Sequence, residues 1–256
     1  MINFDYLEAN KEKLREEYLN AKPFPNIAID NFCDETKLNA LVDNVPDIET
    51  KSADYAFSKN KFEKSKIQEI APEFKEFHEE MTSDRFKELL KYITGEDVFV
   101  DPDLYGGGIH QGKEGSFLDM HVDFNYHPLK PTWYRNLNIL LYLNKDWKEE
   151  YGGHLKLEHS MTGEKTEIGV PFNRLAIMQC RGFTLHGYDK INFPAGKARL
   201  SMATYAFSIH EKQMESARTT KWKVDKSNPV KYILSKLWVP AVKVKSMFFK
   251  SKTGDH

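Results

Sequence analysis

The 256-residue chain is 40% hydrophobic, 13% aromatic and 29% charged, too apolar for overall disorder and long enough for a substantial core. Two widely separated cysteines, Cys33 and Cys180, exclude a disulfide scaffold and a cysteine-based zinc site and point to a reducing cytoplasm. No apolar run approaches the ~18 residues of a membrane span, and the acidic start, Met1–Lys13, has none of the apolar core of a secretory signal.

Residues 1–97 read as an N-terminal helical support region. Tyr6, Leu7, Leu14, Tyr18 and Leu19 recur at helical spacing among charges, and Pro23 and Pro25 stop that helix. Asn26–Phe32 alternates as a short strand. A helix over Glu35–Val45 follows. From Lys66 the pattern is helical through Ile67, Ile70, Phe74 and Phe77. Ser83 or Asp84 caps the next helix, which carries Phe86, Leu89, Leu90 and Ile93 and ends at Gly95.

After Gly95 the texture becomes β-rich. Strands are expected at Val98–Val100, Leu104–His110, Phe117–His121, Asn136–Leu143, His154–Leu157, Thr166–Ile168, Arg174–Gln179, Phe183–His186 and Arg199–Ser208. Turns are expected at Gly112–Gly115, Lys145–Gly153, Ser160–Glu164 and Pro194–Lys197. Many short strands with no intervening helices predict a barrel or two-sheet jelly roll over 98–210 and exclude a parallel α/β sheet. The fold class is thus α+β, with a mainly β core and the helical region packed on it.

Residues 211–256 read as a basic tail. From Lys212 onward there are eleven Lys/Arg against three Asp/Glu. Residues 212–256 thus carry +8 and, with a total of −1, residues 1–211 carry −9. Asn228-Pro229 reads as a helix start. Apolar anchors mixed with lysines over 228–250 leave three readings open: helices packed on the body, contact with an anionic membrane surface, or an acidic partner. No nucleic acid is expected, because no aromatic–basic groove accompanies the charge.

The segment Met120-His121-Val122-Asp123 carries the chemistry. In a strand His121 and Asp123 face the same side. An imidazole and a carboxylate supply two of the three ligands of a facial iron(II) site. His186, near the end of a β-like run before Gly187, is the candidate third, against the plain reading of a satisfied strand histidine. Gly187 is expected to allow a close turn. Arg199 and Ser201 share one strand face. A guanidinium inside a barrel needs an anion: an ordinary Asp/Glu partner, or a bound carboxylate held by its fork. Trp133 and Arg135, in the loop after Asp123, are candidate substrate contacts, and His127 a candidate entrance residue.

These motifs, in this order, resemble the 2-oxoglutarate- and iron(II)-dependent dioxygenases, in the prolyl-hydroxylase-like branch. The matching elements are His121-Val-Asp123, Asn138-Ile-Leu-Leu-Tyr142-Leu-Asn-Lys-Asp-Trp147, Gly152-Gly153-His-Leu155, Pro171-Phe-Asn-Arg174-Leu-Ala-Ile, His186 and Arg199-Leu-Ser. Phe24–Phe32 resembles the N-terminal strand of the branch. The resemblance implies a double-stranded β-helix with iron(II) on His121, Asp123 and His186. It implies 2-oxoglutarate paired through its far carboxylate with Arg199 and Tyr142, and Ser201 adding a hydrogen bond. Where the branch often places a tyrosine ahead of the first ligand, this chain has Gln111, expected to supply that hydrogen bond. Dioxygen is the oxidant, with ascorbate a candidate reductant. The implied reaction couples decarboxylation of 2-oxoglutarate, to succinate and carbon dioxide, to hydroxylation of a C–H bond, with a prolyl residue as leading substrate. Small molecules, sugars and lipids remain open as substrates. A non-catalytic jelly-roll binding module and a metal enzyme that uses no 2-oxoglutarate remain open as alternatives.

Overall fold

The structure is a computed structural model that describes residues 1–48, 56–224, 229 and 231–235. The N-terminal region is α1 (Phe4–Ala9), α2 (Lys11–Asn20), β1 (Asn26–Asp30), α3 (Glu35–Asp43), β2 (Ser58–Lys64), α4 (Pro72–Met81) and α5 (Asp84–Thr94). The single helix expected over Tyr6–Leu19 is broken at Asn10, whose side-chain amide donates to the Tyr6 carbonyl and whose backbone leaves the helical region. The Asp34 carboxylate caps α3 by accepting from Lys37 N at 2.9 Å. Ser83 caps α5, and Gly95, in the left-handed region at φ 75°, ends it.

The β core follows as β3 (Phe99–Val100), β4 (Gly108–Val122), β5 (Trp133–Tyr142), β6 (Leu155–His159), β7 (Lys165–Ile168), β8 (Arg174–Gln179), β9 (Thr184–Tyr188), β10 (Arg199–Ile209) and β11 (Lys221–Trp222). The strand order is β1-β8-β5-β10-β4-β9-β6-β7, and each of these pairs is antiparallel. β4 is the hinge of this order. Its first half, Gly108–Gly112, pairs with β10; its second half, Leu118 and His121, pairs with β9. One long strand thus serves two sheets, β1-β8-β5-β10-β4 and β4-β9-β6-β7, which face each other as a jelly roll. The turn expected at Gly112–Gly115 lies inside β4: opposite β2 the register jumps from Lys59↔Phe117 to Lys61↔Gly112, so residues 113–116 bulge out.

The first sheet separates two apolar layers. Leu137, Ile139, Leu141, Leu175, Ile177 and Met202 point outward to Leu38, Leu41, Phe74, Phe77, Phe86 and Leu90 of the helices. Tyr142, Ala176 and Met178 point inward to Leu155, Leu157 and Ile168 of the second sheet. The helices therefore brace the sheet that carries β5 and β10. Phe74, fully buried in that brace, is expected to cost about 3–5 kcal/mol when replaced by Ala, read from the denaturant midpoint.

The chain after β10 departs from the tail expected over 211–256. It turns back across the barrel and adds β11 to β4, pairing Trp222 with His121 and Lys221 with Val122. Its polar sequence shows no strand alternation, and only the fold supplies the partner. Of the amphipathic stretch 228–250, residues 229 and 231–235 are helical, and Lys231 Nζ donates to Asp119 Oδ2 at 2.8 Å. The remainder of that stretch lies outside the described residues. Among the described residues no helix is long and apolar enough to cross a membrane.

Candidate active site

His121, Asp123 and His186 meet between the two sheets, one ligand atom of each lying within 4.8 Å of the others. His121 and His186 face each other across the β4–β9 pair, with ring centroids 4.2 Å apart. This closeness needs Gly187: a Cβ there would sit 2.5 Å from the Leu118 carbonyl. The glycine allows two strands to approach rather than making the close turn expected of it.

Both imidazoles are buried. His121 Nδ1 lies 2.9 Å from the Asp119 carbonyl, which leaves Nε2 facing Asp123 Oδ1 at 3.4 Å. His186 Nε2 lies 3.3 Å from Asp123 Oδ2. Burial, with His121 beside it, pushes the His186 pKa down to about 3, so the ring is neutral, the form that ligates metals. Burial pushes the Asp123 carboxyl up, but Arg135 and the two imidazoles outweigh it and hold it well below the usual carboxylate range. Two buried imidazoles and one ionised carboxylate fit a divalent iron ion.

The carboxylate is oriented by residues that spacing does not single out. Asp123 Oδ2 accepts from Asn138 Nδ2 at 2.9 Å and pairs with Arg135 Nη2 at 2.8 Å. Arg135 donates in turn to Asn138 Oδ1. Arg135 and Asn138 are three apart and would face opposite sides of a regular strand. A bulge at Asn136, where β10 pairs Ala206 with Leu137 and Phe207 with Arg135, brings both to the inside.

The triad opens into a cavity of about 200 Å³ that also holds Arg199, Ser201, His110, Tyr188, Lys61 and Trp222. Arg199 is 7% exposed. Its Nε donates to the Gly153 carbonyl at 2.7 Å, and its guanidinium carbon sits 4.2 Å from the Tyr188 ring centroid and 5.2 Å from that of Tyr142. No acidic side chain of the described residues pairs with it. The Tyr142 hydroxyl beside it is buried without a hydrogen-bond partner, and burial raises its pKa against the pull of Arg199, so it remains a donor. A buried cation and an unsatisfied hydroxyl fit a small carboxylate ligand. Gly153 completes the cradle in the left-handed region at φ 77°, where a Cβ would press within 3.0 Å of Arg199 Cδ.

Gln111 is not part of this cavity. Its amide donates to the Pro46 carbonyl on the other face of β4. The bulge over 113–116 breaks the alternation counted back from His121, and the register Ser201↔His110 puts His110 inside instead. His110 is neutral there, its pKa pushed down to about 3 by burial and by Lys61. Gln111→Ala is expected to leave the Michaelis constant for 2-oxoglutarate unchanged, measured by succinate formation.

Arg135 reaches the site, whereas Trp133 packs on Phe99, His127 and Phe207 away from it. His127 is buried under its loop rather than at an entrance. Its Nδ1 accepts from Leu129 N and Lys130 N, and its Nε2 lies 3.3 Å from Asp101. Trp222 and Thr220, read from sequence as tail, line the cavity; Trp222 lies on the two-residue β11 and Thr220 just before it, a stretch too short to carry a pattern that could have revealed them.

Residues 107–207 match the family model of the 2OG-Fe(II) oxygenase superfamily. No curated protein matches the chain. Among solved structures, it is similar to a prolyl hydroxylase from Trichoplax adhaerens in complex with a peptide fragment of the hypoxia inducible factor oxygen degradation domain. That match has a TM-score of 0.56 and 14% identity, over 79% of this chain and 91% of that one. A Pseudomonas putida prolyl-4-hydroxylase matches with a TM-score of 0.56 and 15% identity, over 77% of this chain and 98% of that one. HygX of Streptomyces hygroscopicus, with nickel, 2-oxoglutarate and hygromycin B bound, matches with a TM-score of 0.50 and 12% identity, over 71% and 82%. Such identities establish the shared fold. Residues 107–207, which hold the triad, Tyr142 and Arg199, thus match the model of the 2OG-Fe(II) oxygenase superfamily, whose members use iron(II), 2-oxoglutarate and dioxygen, and the chain shares its fold with prolyl hydroxylases.

Proposed function

We propose that the chain is a hydroxylase in which His121, Asp123 and His186 hold iron(II) and Arg199 and Tyr142 take the far carboxylate of 2-oxoglutarate. The observation that carries this reading is Arg199. It is a buried guanidinium with no acidic partner among the described residues, and it opens on the same cavity as the triad.

When bound, iron(II) with 2-oxoglutarate and dioxygen supplies the oxidising power to insert one oxygen atom into a C–H bond, with succinate and carbon dioxide as co-products. The chain's own residues do the rest. Arg135 and Asn138 hold Oδ2 of Asp123 and leave Oδ1 for the metal. His121 is fixed through Nδ1 on the Asp119 carbonyl. Ser201, buried opposite Tyr142 across the β5–β10 pair, is placed for an added hydrogen bond to the cosubstrate. Leu140, Leu155 and Ala203 give the cavity an apolar lining that limits water. Tyr205, with its ring centroid 3.4 Å from the Arg135 guanidinium carbon, shapes the side on which substrate is placed.

The leading substrate is a prolyl residue of a polypeptide, supported by the motif order and by the prolyl hydroxylases among the structural neighbours. Cys33 and Cys180, both free and buried, fit a cytoplasmic setting. The test is anaerobic addition of 2-oxoglutarate to the iron(II) protein, read by its visible metal-to-ligand charge-transfer band. Aerobic turnover with proline-containing peptides, read by mass spectrometry, follows. A band and a peptide gaining one oxygen support the whole reading. A band without peptide oxidation moves the substrate to small molecules. An iron-loaded protein without the band removes the cosubstrate assignment.

A further inference from the structure

The segment between β10 and β11 is tied to the residues that flank Asp123. The buried Asn125 side chain uses every hydrogen-bonding group it has. Its Nδ2 donates to Glu215 Oε1 and to the Ser216 carbonyl, each at 3.0 Å, and its Oδ1 accepts from Arg218 N at 2.8 Å. The Tyr126 hydroxyl accepts from Met214 N at 2.7 Å and Glu215 N at 3.3 Å. Arg218 Nε donates to the Asp123 carbonyl. Beyond this tether, Lys223 N donates to the Met120 carbonyl at 2.8 Å, and the Trp222 ring lies 4.8 Å from the His121 ring, tilted by 38°. Trp222 also stacks on Phe57 at 5.0 Å and 13°, so its own plane is fixed from a second direction.

The contacts to the Asp119 carbonyl and the Asp123 carboxylate hold the His121 imidazole through its two nitrogens, in the plane of the ring, and constrain its tilt about χ2 less tightly. A flat, anchored indole against its face removes that freedom. We propose that the strap 211–222 belongs to the metal site: Trp222 is a positioning residue that fixes the plane of the His121 imidazole, and Asn125 is the clasp that keeps Trp222 in place. The proposal rests on reading His121 as a metal ligand. It gives the chain beyond the superfamily domain, which ends at residue 207, a part in assembling the site. Outer residues that orient a metal-ligating histidine are worth about 10–100-fold in metal affinity, and an indole packed on the ring acts on orientation as a hydrogen bond does.

The test uses the full chain, titrated anaerobically with Co(II) and, as a diamagnetic control, Zn(II), with tryptophan fluorescence and calorimetry as readouts. In the wild type Co(II) is expected to quench fluorescence well beyond Zn(II), because Trp222 touches a ligand ring. Trp222→Ala is expected to lower Co(II) affinity about 10-fold. Trp222→Phe, which restores a flat ring, is expected to recover most of that affinity while losing most of the quench. Asn125→Asp, isosteric, turns an acceptor toward the Glu215 carboxylate and the Ser216 carbonyl. It is expected to reduce both quench and affinity and to open the strap to proteolysis while the thermal midpoint of the core holds.

Wild-type affinity in a folded Trp222→Ala protein, or no recovery in Trp222→Phe, overturns the role of Trp222. An unchanged quench in Asn125→Asp overturns the clasp. A wild type that binds no Co(II) at all removes the metal reading and this proposal together, whereas a wild type that binds normally beside unaltered variants removes this proposal alone.

Discussion

Asp123→Ala is expected to abolish metal binding, the charge-transfer band and 2-oxoglutarate turnover together. The carboxylate is the sole anion of the triad, and only two imidazoles on facing strands remain. Arg135 sharpens the loss. With Asp123 present, the guanidinium is paired at 2.8 Å. Without it, an unpaired cation 2% exposed faces the site and repels an incoming dication. The fall in Mn(II) affinity, measured by calorimetry, is therefore expected to exceed the ~10–100-fold typical of changes outside the ligand set. Stability is expected to fall as well, by about 3–5 kcal/mol, because half of a buried ion pair has been removed. Asp123→Asn separates the two effects: it keeps the volume and an acceptor toward Arg135 and Asn138, so more of the stability survives while the metal is still lost. Wild-type Mn(II) affinity in either variant would show that the metal, if any, sits elsewhere.

The parts of this site that were legible in the sequence are those on regular strands. Arg199, Ser201, Ala203 and Tyr205 follow the two-residue period of β10 and all line the cavity. His121 and Asp123 are legible from their two-residue spacing, and His186 from its place in the motif order, which carries information that local spacing does not. Much of the rest was hidden by bulges that insert an odd number of residues and so reverse which face a side chain takes. The bulge at Asn136 brings Arg135 and Asn138 to the same side, and nothing in Tyr134–Leu137 marks it. The bulge over 113–116 reverses the parity of Gln111 and His110. β2, Ser-Lys-Asn-Lys-Phe-Glu-Lys, has no apolar alternation because it pairs along β4 with most of its side chains only half-buried. Trp222 lay in what reads as a basic tail, and its meaning comes from a partner strand a hundred residues earlier.

Arg199→Ala is expected to raise the Michaelis constant for 2-oxoglutarate while leaving iron bound. Arg199 touches the Gly153 carbonyl and the Tyr142 and Tyr188 rings rather than the triad, so its loss does not disturb the metal ligands. Truncating one partner of a buried charge pair costs at least about 2 kcal/mol, or roughly 30-fold in affinity. Arg199→Lys keeps the charge but not the planar fork, and its constant is expected to fall between the two. Tyr142→Phe removes a neutral donor worth about 1 kcal/mol, roughly 5-fold. This ordering, with Arg199→Ala largest and Tyr142→Phe smallest, is what a carboxylate held at this end of the cavity produces. Steady-state succinate formation against 2-oxoglutarate concentration measures it, with Mn(II) calorimetry on the same proteins as the control. If Arg199→Ala leaves the 2-oxoglutarate constant unchanged and raises that of the substrate instead, Arg199 holds a carboxylate of the substrate itself, and the cosubstrate must enter from the side lined by Lys61 and His110.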